Sequence, residues 1–444
     1  MHPDLRVTYQ RGVYQYAKSL MAGMHVAEPG YKLITDAAPR RCAHDGVESL
    51  VRDIEHPRKL GIRAWQMLPR YLKMRFMGDA HVEQWGLPSD VELGDRTLFL
   101  RSAGGLANVE MIYEVCRLAG SKHFVPPLDL DFLSEAGADV VLTTAPTAVR
   151  SRHGRVKIMQ TVHDLFLYDD PTGSANARKF RRKVDACVKH ADMILSMSKF
   201  TTEVLLRHHP EAEPKVRLLY QPIPADDSTL AQSALPSTQE AVLKKFNLAR
   251  GQFILYVGAV EPRKNVANLI RAHRCSDHAS KIPLVIAGGV EGGYLESEGL
   301  TMIAGDFGAQ HVASRQPGGP GAQLIGRVSE LEKLVLLRCA TLFAFPSLVE
   351  GFGIPVLEAQ SLGCPVLASA GSTMPEVLRE SAVMVNQITD PQALAWAMDQ
   401  VVTQPHLASD LAQKGLVNSA RFSKQNFANR LSELLAECRA LPAR

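Results

Sequence analysis

A chain of 444 residues is too long for one ordinary hydrophobic core, so two domains are the first expectation. Hydrophobic residues at 46% and charged residues at 22% argue against a largely disordered chain, and a formal charge of +4 gives no warrant for nucleic acid as a partner. The cysteines, at 42, 116, 187, 275, 339, 364 and 438, hold no CxxC pair, no apolar run approaches the roughly 20 residues that span a bilayer, and Met1-His-Pro-Asp-Leu-Arg lacks the apolar stretch of a signal peptide, so a reducing cytoplasmic setting is expected.

Short β-branched apolar runs alternate with helical patterns along most of the chain, as in a parallel α/β sheet. Ala138–Thr143 and Val156–Val162 read as buried strands, Phe180–His190 as a helix, Met193–Ser196 as a strand and Lys199 to about His208 as a helix. Gln221–Ser237 loses periodicity and collects Pro222, Pro224 and Pro236, which reads as an interdomain linker. The rhythm then restarts: strand Phe253–Val257, helix Asn265–His273, strand Pro283–Ala287, short strand Leu324–Ile325, helix Ser329–Arg338, strand Thr341–Phe345, helix Ile354–Leu362, strand Pro365–Ala368 and a helix from about Pro391. Gly292–Gly321 is Gly-rich without a clear period and reads as a long surface excursion. The expected division is a domain over 1–225, a linker over 226–250, a second domain over 251–422 and a C-terminal helix over 423–444 that packs back on the first domain.

Chemistry concentrates in two segments of the second half. In Phe345-Pro-Ser-Leu-Val-Glu-Gly-Phe-Gly-Ile-Pro-Val-Leu-Glu358 a strand ends, a loop carries Glu350, Gly351 and Gly353, and a helix opens at Ile354 with Pro355 in its first turn. Free N–H groups at that start suit an anion, and glycines let a ligand approach the backbone. Glu350 before the helix and Glu358 inside it can bind sugar or ribose hydroxyls. Taken alone, such a pair reads more often as solvated acids around a capped helix. The second segment, Gly258-Ala-Val-Glu-Pro-Arg263-Lys264-Asn265, joins a strand to a helix through a glycine turn and two adjacent cations, which suits a phosphate.

Together these segments resemble the retaining glycosyltransferases of family 4, whose fold is GT-B, two facing Rossmann-like domains with a cleft between them. Further matching motifs are Gly326-Arg-Val328-Ser329, Gly363-Cys-Pro-Val-Leu-Ala-Ser369, Met374-Pro-Glu-Val377, Thr161-Val-His163-Asp164-Leu and Ser196-Met-Ser198-Lys-Phe-Thr201, strongest between about 155 and 380. The resemblance implies Glu350 and His163 as catalytic residues, Glu350 near the reacting carbon and His163 near the donor sugar. It implies that Arg263 and Lys264 neutralise a diphosphate, that the N–H groups at Gly353 and Ile354 approach donor phosphate and sugar, that Glu358 holds the ribose and that Val328 lies near the base. It also implies transfer of a hexosyl unit of mannose or glucose type from a nucleotide-diphosphate sugar to a glycan or lipid-linked acceptor, suited to surface polysaccharide synthesis. No Asp-x-Asp pair stands where a metal-dependent transferase needs one, so neither a catalytic metal nor a cofactor is expected.

The match weakens at the start, where Arg11-Gly12-Val13 has only ten residues before it, a largely polar stretch in which no first strand is apparent. Basic segment 58–77 reads as a helix covering the domain core or as a peripheral contact with an anionic membrane surface, and 178–183 as a solvated helix face or a second such contact. A catalytically silent nucleotide-sugar scaffold or sensor is the alternative to an enzyme. A nicotinamide dehydrogenase fails for want of G-x-G-x-x-G after a strand.

Overall fold

The structure is a computed structural model and describes residues 12–35, 47, 74, 82–86, 91, 103–109, 112–119, 125–169, 174–290, 293–300, 302–304, 310–312 and 321–442. The chain divides into two compact units, Met1–Pro224 with Lys424–Arg444, and Ala225–Ser423.

In the first unit four parallel strands pair in chain order: β1 (Val140–Thr143), β2 (Lys157–Val162), β3 (Met193–Ser196) and β4 (Val216–Leu218). Ile158–Val162 and Met193–Ser196 are buried throughout, the polar Gln160, Thr161 and Ser196 included, so neither shows the regular polar alternation of a strand with one solvated face. Serine side chains start the helices that follow: Ser174 accepts from the Ala177 N–H at Ala175–His190, and Ser198 from the Thr201 N–H at Lys199–His208. A separate three-stranded sheet orders Leu33–Thr35, Leu106–Asn108 and Glu83–Trp85. The expectation about the first strand falls on residues 1–11, outside the described residues, as does nearly all of the basic segment 58–77.

The C-terminal helix Lys424–Ala440 belongs to this first unit and packs along the helix Gly12–Ala27. Its Phe427, Leu431, Leu434, Leu435 and Cys438 join Tyr16, Leu20, Met159, Met193 and Leu195 in one buried cluster. Each fully buried side chain of this size contributes about 1.5–3 kcal/mol. Arg439 closes the contact, with Nε on Asp139 (2.6 Å) and Nη1 on Glu28 (2.8 Å).

The second unit holds one eight-stranded sheet. Its strands are β5 (Ile254–Val257), β6 (Leu284–Ala287), β7 (Met302–Ala304), β8 (Gln310–Val312), β9 (Ala322–Gly326), β10 (Leu342–Phe345), β11 (Val366–Ser369) and β12 (Val383–Val385), in the spatial order β7-β8-β9-β6-β5-β10-β11-β12. The six parallel strands, β9-β6-β5-β10-β11-β12, follow the doubly wound pattern in which strand order reverses at one place, here between β5 and β10. Ligands of such sheets bind beyond the strand carboxyl ends at that reversal.

Two segments expected to be irregular hold helices or strands among their described residues. The span 226–250, expected as linker, lies in the second unit and forms the helices Asp227–Ala234 and Pro236–Lys245. Proline misled here because Pro236 occupies the first helical position, where its missing N–H is harmless, while Asp226 caps the helix before it. Both helices pack on the helix Glu330–Cys339, and Arg338 Nε donates to Ser233 Oγ (3.0 Å). Within Gly292–Gly321, expected as a surface excursion, β7 and β8 instead extend the sheet as antiparallel strands.

Gly288 is the tightest point of the second unit. It follows β6, its N–H donates to the Gly326 carbonyl (2.7 Å), and a Cβ there would overlap the Gly258 carbonyl oxygen. That neighbour is backbone and cannot rotate away. Gly288→Ala is therefore expected to destabilise the second unit by about 1–3 kcal/mol, read as a lowered thermal midpoint; an unchanged midpoint would contradict the packing described.

Candidate functional site

Loops from the carboxyl ends of β5 and β10 meet at the reversal of strand order. After β5 the chain passes into a short 3-10 turn, Pro262–Lys264, which Asn265 ends in the left-handed region at φ 58°. Asparagine is one of the few side chains that tolerate that conformation. Its Nδ2 donates to the Ile388 carbonyl (2.9 Å), as does that of Asn268. The turn folds the Lys264 side chain inward, 11% exposed, and leaves that of Arg263 at 41%.

The loop after β10 brings a carboxylate to meet these cations. Glu350 is buried, and its Oε1 accepts from Lys264 Nζ and from Ser347 Oγ (2.5 Å). Its Oε2 stands 3.6 Å from Arg263 Nη1, and its backbone N–H donates to Ser372 Oγ (3.1 Å). Arg263 is divided between this carboxylate and Glu261, at 2.8 Å from Nη2. The Lys264 ammonium also lies 5.1 Å from the centre of the Phe345 ring. Removing two such charges from water costs several kcal/mol per ion, which only close geometry and added donors offset.

The helix Ile354–Ser361 starts at Gly353, whose φ of 94° favours glycine and where a Cβ would collide with Met374 Cε. No side chain caps this start, and Pro355 sits in the first turn. Such an end offers backbone N–H groups to an anion. One turn inside, Glu358 is 3% exposed and accepts from Lys333 Nζ at Oε1 (2.7 Å); Lys333 also pairs with Glu330 (2.8 Å). Burial pushes the Glu358 carboxyl above its ordinary value, and Lys333 opposes that shift without cancelling it. For Lys333, burial acts to lower the pKa, but the two carboxylates outweigh it and hold the ammonium charged.

Val328, half-buried, lies between the end of β9 and Ser329. Ser329 and Glu332 cap each other across the next helix start, Ser329 Oγ accepting from the Glu332 N–H (3.2 Å) and Glu332 Oε2 from the Ser329 N–H (2.7 Å). The structure thus gathers Arg263, Lys264 and Glu350 into one cluster and sets Glu358 against a partner, Lys333, that lies outside the sequence motifs. Ser347 and Ser372 were likewise not singled out by sequence. Small residues in a loop carry no signal until the fold shows what they touch.

His163 lies in the first unit, directly after β2. Its Nε2 faces the Thr144 carbonyl (2.7 Å), which can only accept, so Nε2 bears the proton; Gln221 Nε2 donates to Nδ1 (3.2 Å). The ring also meets Tyr16 edge-on at 4.6 Å. The ring is thereby held in one orientation. Asp129-Leu-Asp131 in this unit has Asp-x-Asp spacing but serves the loop beside it. Asp131 accepts from Ser151 Oγ and the N–H groups of His153 (2.6 Å) and Arg155 (3.2 Å). Burial acts to raise its pKa, and these donors outweigh burial and hold the carboxyl below its usual range.

In the basic cluster 178–183, Arg178 and Lys179 are exposed, while Arg181 Nε donates to the Tyr168 carbonyl (2.6 Å). Among the described residues no helix is long and apolar enough to cross a membrane.

Residues 239–416 match the family model described as glycosyl transferases group 1. The O-antigen chain mannosyltransferase B of Escherichia coli is 25% identical over 278 residues, covering 62% of this chain and 68% of its own length. The serotype-specific mannosyltransferase WbdA of Escherichia coli is 28% identical over 261 residues, 58% of this chain but only 30% of its own length. The chain therefore spans about two thirds of one of these relatives and under a third of the other. Among solved structures, sucrose-phosphate synthase from Thermosynechococcus elongatus is similar at a TM-score of 0.53, 18% identity, 79% of this chain and 86% of that one. HepE of Anabaena, solved in complex with UDP and glucose, is similar at 0.51, 16% identity, 64% and 72%. At these identities the likeness is one of fold, and the fold class is GT-B with Rossmann-like domains.

The cluster also has a consequence for stability. Lys264→Met leaves Glu350 buried against Ser347 without its close cation and is expected to destabilise the second unit by about 3–5 kcal/mol. Adding Glu350→Gln should recover most of that loss in denaturant melts. Equal and additive effects of the two substitutions would mean that the pair is not coupled.

Proposed function

We propose that this chain, which carries a glycosyl transferases group 1 domain at residues 239–416, moves a hexosyl unit of mannose or glucose type from a nucleotide-diphosphate sugar to a glycan or lipid-linked acceptor with retention of configuration. The observation that supports this reading most is the buried Glu350 carboxylate, held by Lys264 and Ser347 with Arg263 beside it, at the reversal of strand order.

Glycosyl transfer breaks the bond between the anomeric carbon and the diphosphate oxygen through an oxocarbenium-like state, as glycoside hydrolysis does. Negative charge grows on the departing diphosphate while positive charge grows on the sugar. Fixed cations and an uncapped helix start stabilise the first, and a fixed carboxylate the second. In this reading Arg263, the more exposed cation, meets the diphosphate, with the N–H groups at Gly353 and Ile354 beside it. Lys264 orients Glu350 toward the reacting carbon and adds its own charge. Glu358 binds the ribose hydroxyls and Val328 lies against the base. His163 acts through hydrogen bonding and position rather than proton transfer, since both ring nitrogens are engaged. With these cations on the leaving group, the reaction is expected to need no divalent metal. The mannosyltransferase relatives favour a mannosyl donor and a role in surface polysaccharide synthesis.

Incubation with a panel of UDP- and GDP-sugars, following nucleoside diphosphate release, tests the proposal. One donor is expected to turn over, with the rate kept within about twofold in excess chelator and lowered by a factor on the order of a hundred or more in Glu350→Gln. A circular-dichroism melt run in parallel reports whether that variant is folded at the assay temperature. Release from no donor would contradict the enzymatic reading, and tight donor binding without transfer to any acceptor would indicate a silent scaffold instead.

A further inference from the structure

Glu358 is an exception among the buried polar groups of its helix. Gln360, two residues on, is satisfied at both ends: Nε2 donates to the Ser381 carbonyl (3.0 Å) and Oγ (2.7 Å), and Oε1 accepts from Asn418 Nδ2 (2.7 Å). Glu358 is nearly as buried, yet its carboxylate has one hydrogen bond, from Lys333 Nζ to Oε1. Its Oε2 has no hydrogen-bond partner among the described residues and is not fully sealed from solvent. Buried carboxylates ordinarily collect several donors, and an oxygen left without them is costly.

The cation that holds Oε1 is itself held. Lys333 is fixed between Glu358 and Glu330, with little of its side chain exposed. A carboxylate clamped at one oxygen by a fixed cation presents the other as a charged acceptor in a defined direction. Such an acceptor matches the paired hydroxyl donors of a ribose.

We propose that Lys333 is a positioning residue for nucleotide binding: it clamps Glu358 through one oxygen so that the other receives the ribose hydroxyls, and Glu330 tempers that clamp. The assignment rests on the nucleotide reading of the site given above. Two groups set the charge of Glu358, Lys333 and Glu330, both from the helix Glu330–Cys339. The other elements packed on the Glu358 helix are β10 and β11, buried throughout, and the helix Pro405–Ser419, which meets Gln360 through Gly415 and Asn418.

The sign of the pH response follows. Ribose binding needs the ionised carboxylate, and burial raises the Glu358 pKa above its ordinary value of 4.5, so binding fails as pH falls through the raised value. Removing Lys333 removes the opposing cation and moves that midpoint up. Removing the charge of Glu330, which is half-exposed and can be changed without disturbing the core, moves it down.

The test is calorimetric titration of the full chain with UDP and GDP, and with their 2′,3′-dideoxy counterparts, between pH 5 and 8. Lys333→Met is expected to weaken ribonucleotide binding about tenfold at pH 7 and to raise the midpoint by about one pH unit. Lys333→Arg should keep the unsubstituted midpoint and Glu330→Gln should lower it. Binding of the dideoxy ligands should be changed by none of the three. Unchanged midpoints in Lys333→Met and Glu330→Gln, or equal weakening of ribose and dideoxy ligands, would overturn the assignment while leaving the nucleotide reading intact. Failure of the unsubstituted protein to bind either nucleotide would overturn the reading itself, and this assignment with it.

Discussion

The pairing of Lys264 with Glu350 joins two loops 86 residues apart in sequence, and the arrangement of the second unit depends on it. The pair exists because strand order reverses between β5 and β10, which sets the two loop-bearing strands side by side with their carboxyl ends together. A strand order that separated β5 from β10 would leave two buried charges without each other, at about 3–5 kcal/mol, a large share of a domain's stability. The glycine turns after β5 and β6 and the left-handed Asn265 serve the same end, since they bring the loop down onto the sheet and fold Lys264 inward.

Much of this was legible in the sequence, for a physical reason. Parallel strands buried on both faces are short and mainly apolar, so Val156–Val162, Met193–Ser196 and Thr341–Phe345 fall within a residue of the observed strands. The loop motifs were visible because glycine, proline and paired charges are rare in combination. The misreadings also share a cause. Proline was read as a breaker across 221–237, whereas Pro236 starts a helix, and the glycine-rich stretch before Gly321 hid two short strands that pair only through tertiary contact. Lys333 was invisible because its partner Glu358 lies 25 positions away on another helix, and no local pattern records such a pair.

Glu350 and Glu358 differ in ways that their spacing does not show. Glu350 sits among donors and cations and is a fixed element of the loop. Glu358 is held at one oxygen only, in a place where burial raises its pKa. A permanently oriented carboxylate suits a reacting centre, and a half-satisfied one suits a ligand that brings its own donors. His163 differs again, because the first unit already holds its ring through contacts at both nitrogens and edge-on against Tyr16.

A co-crystal structure with a nucleoside diphosphate, UDP or GDP, tests the central claim most directly. The diphosphate is expected against Arg263 and the start of the helix Ile354–Ser361, the ribose hydroxyls on Glu358 Oε2, and Lys264 still on Glu350. A nucleotide bound away from the carboxyl ends of β5 and β10, or with its ribose remote from Glu358, would contradict it.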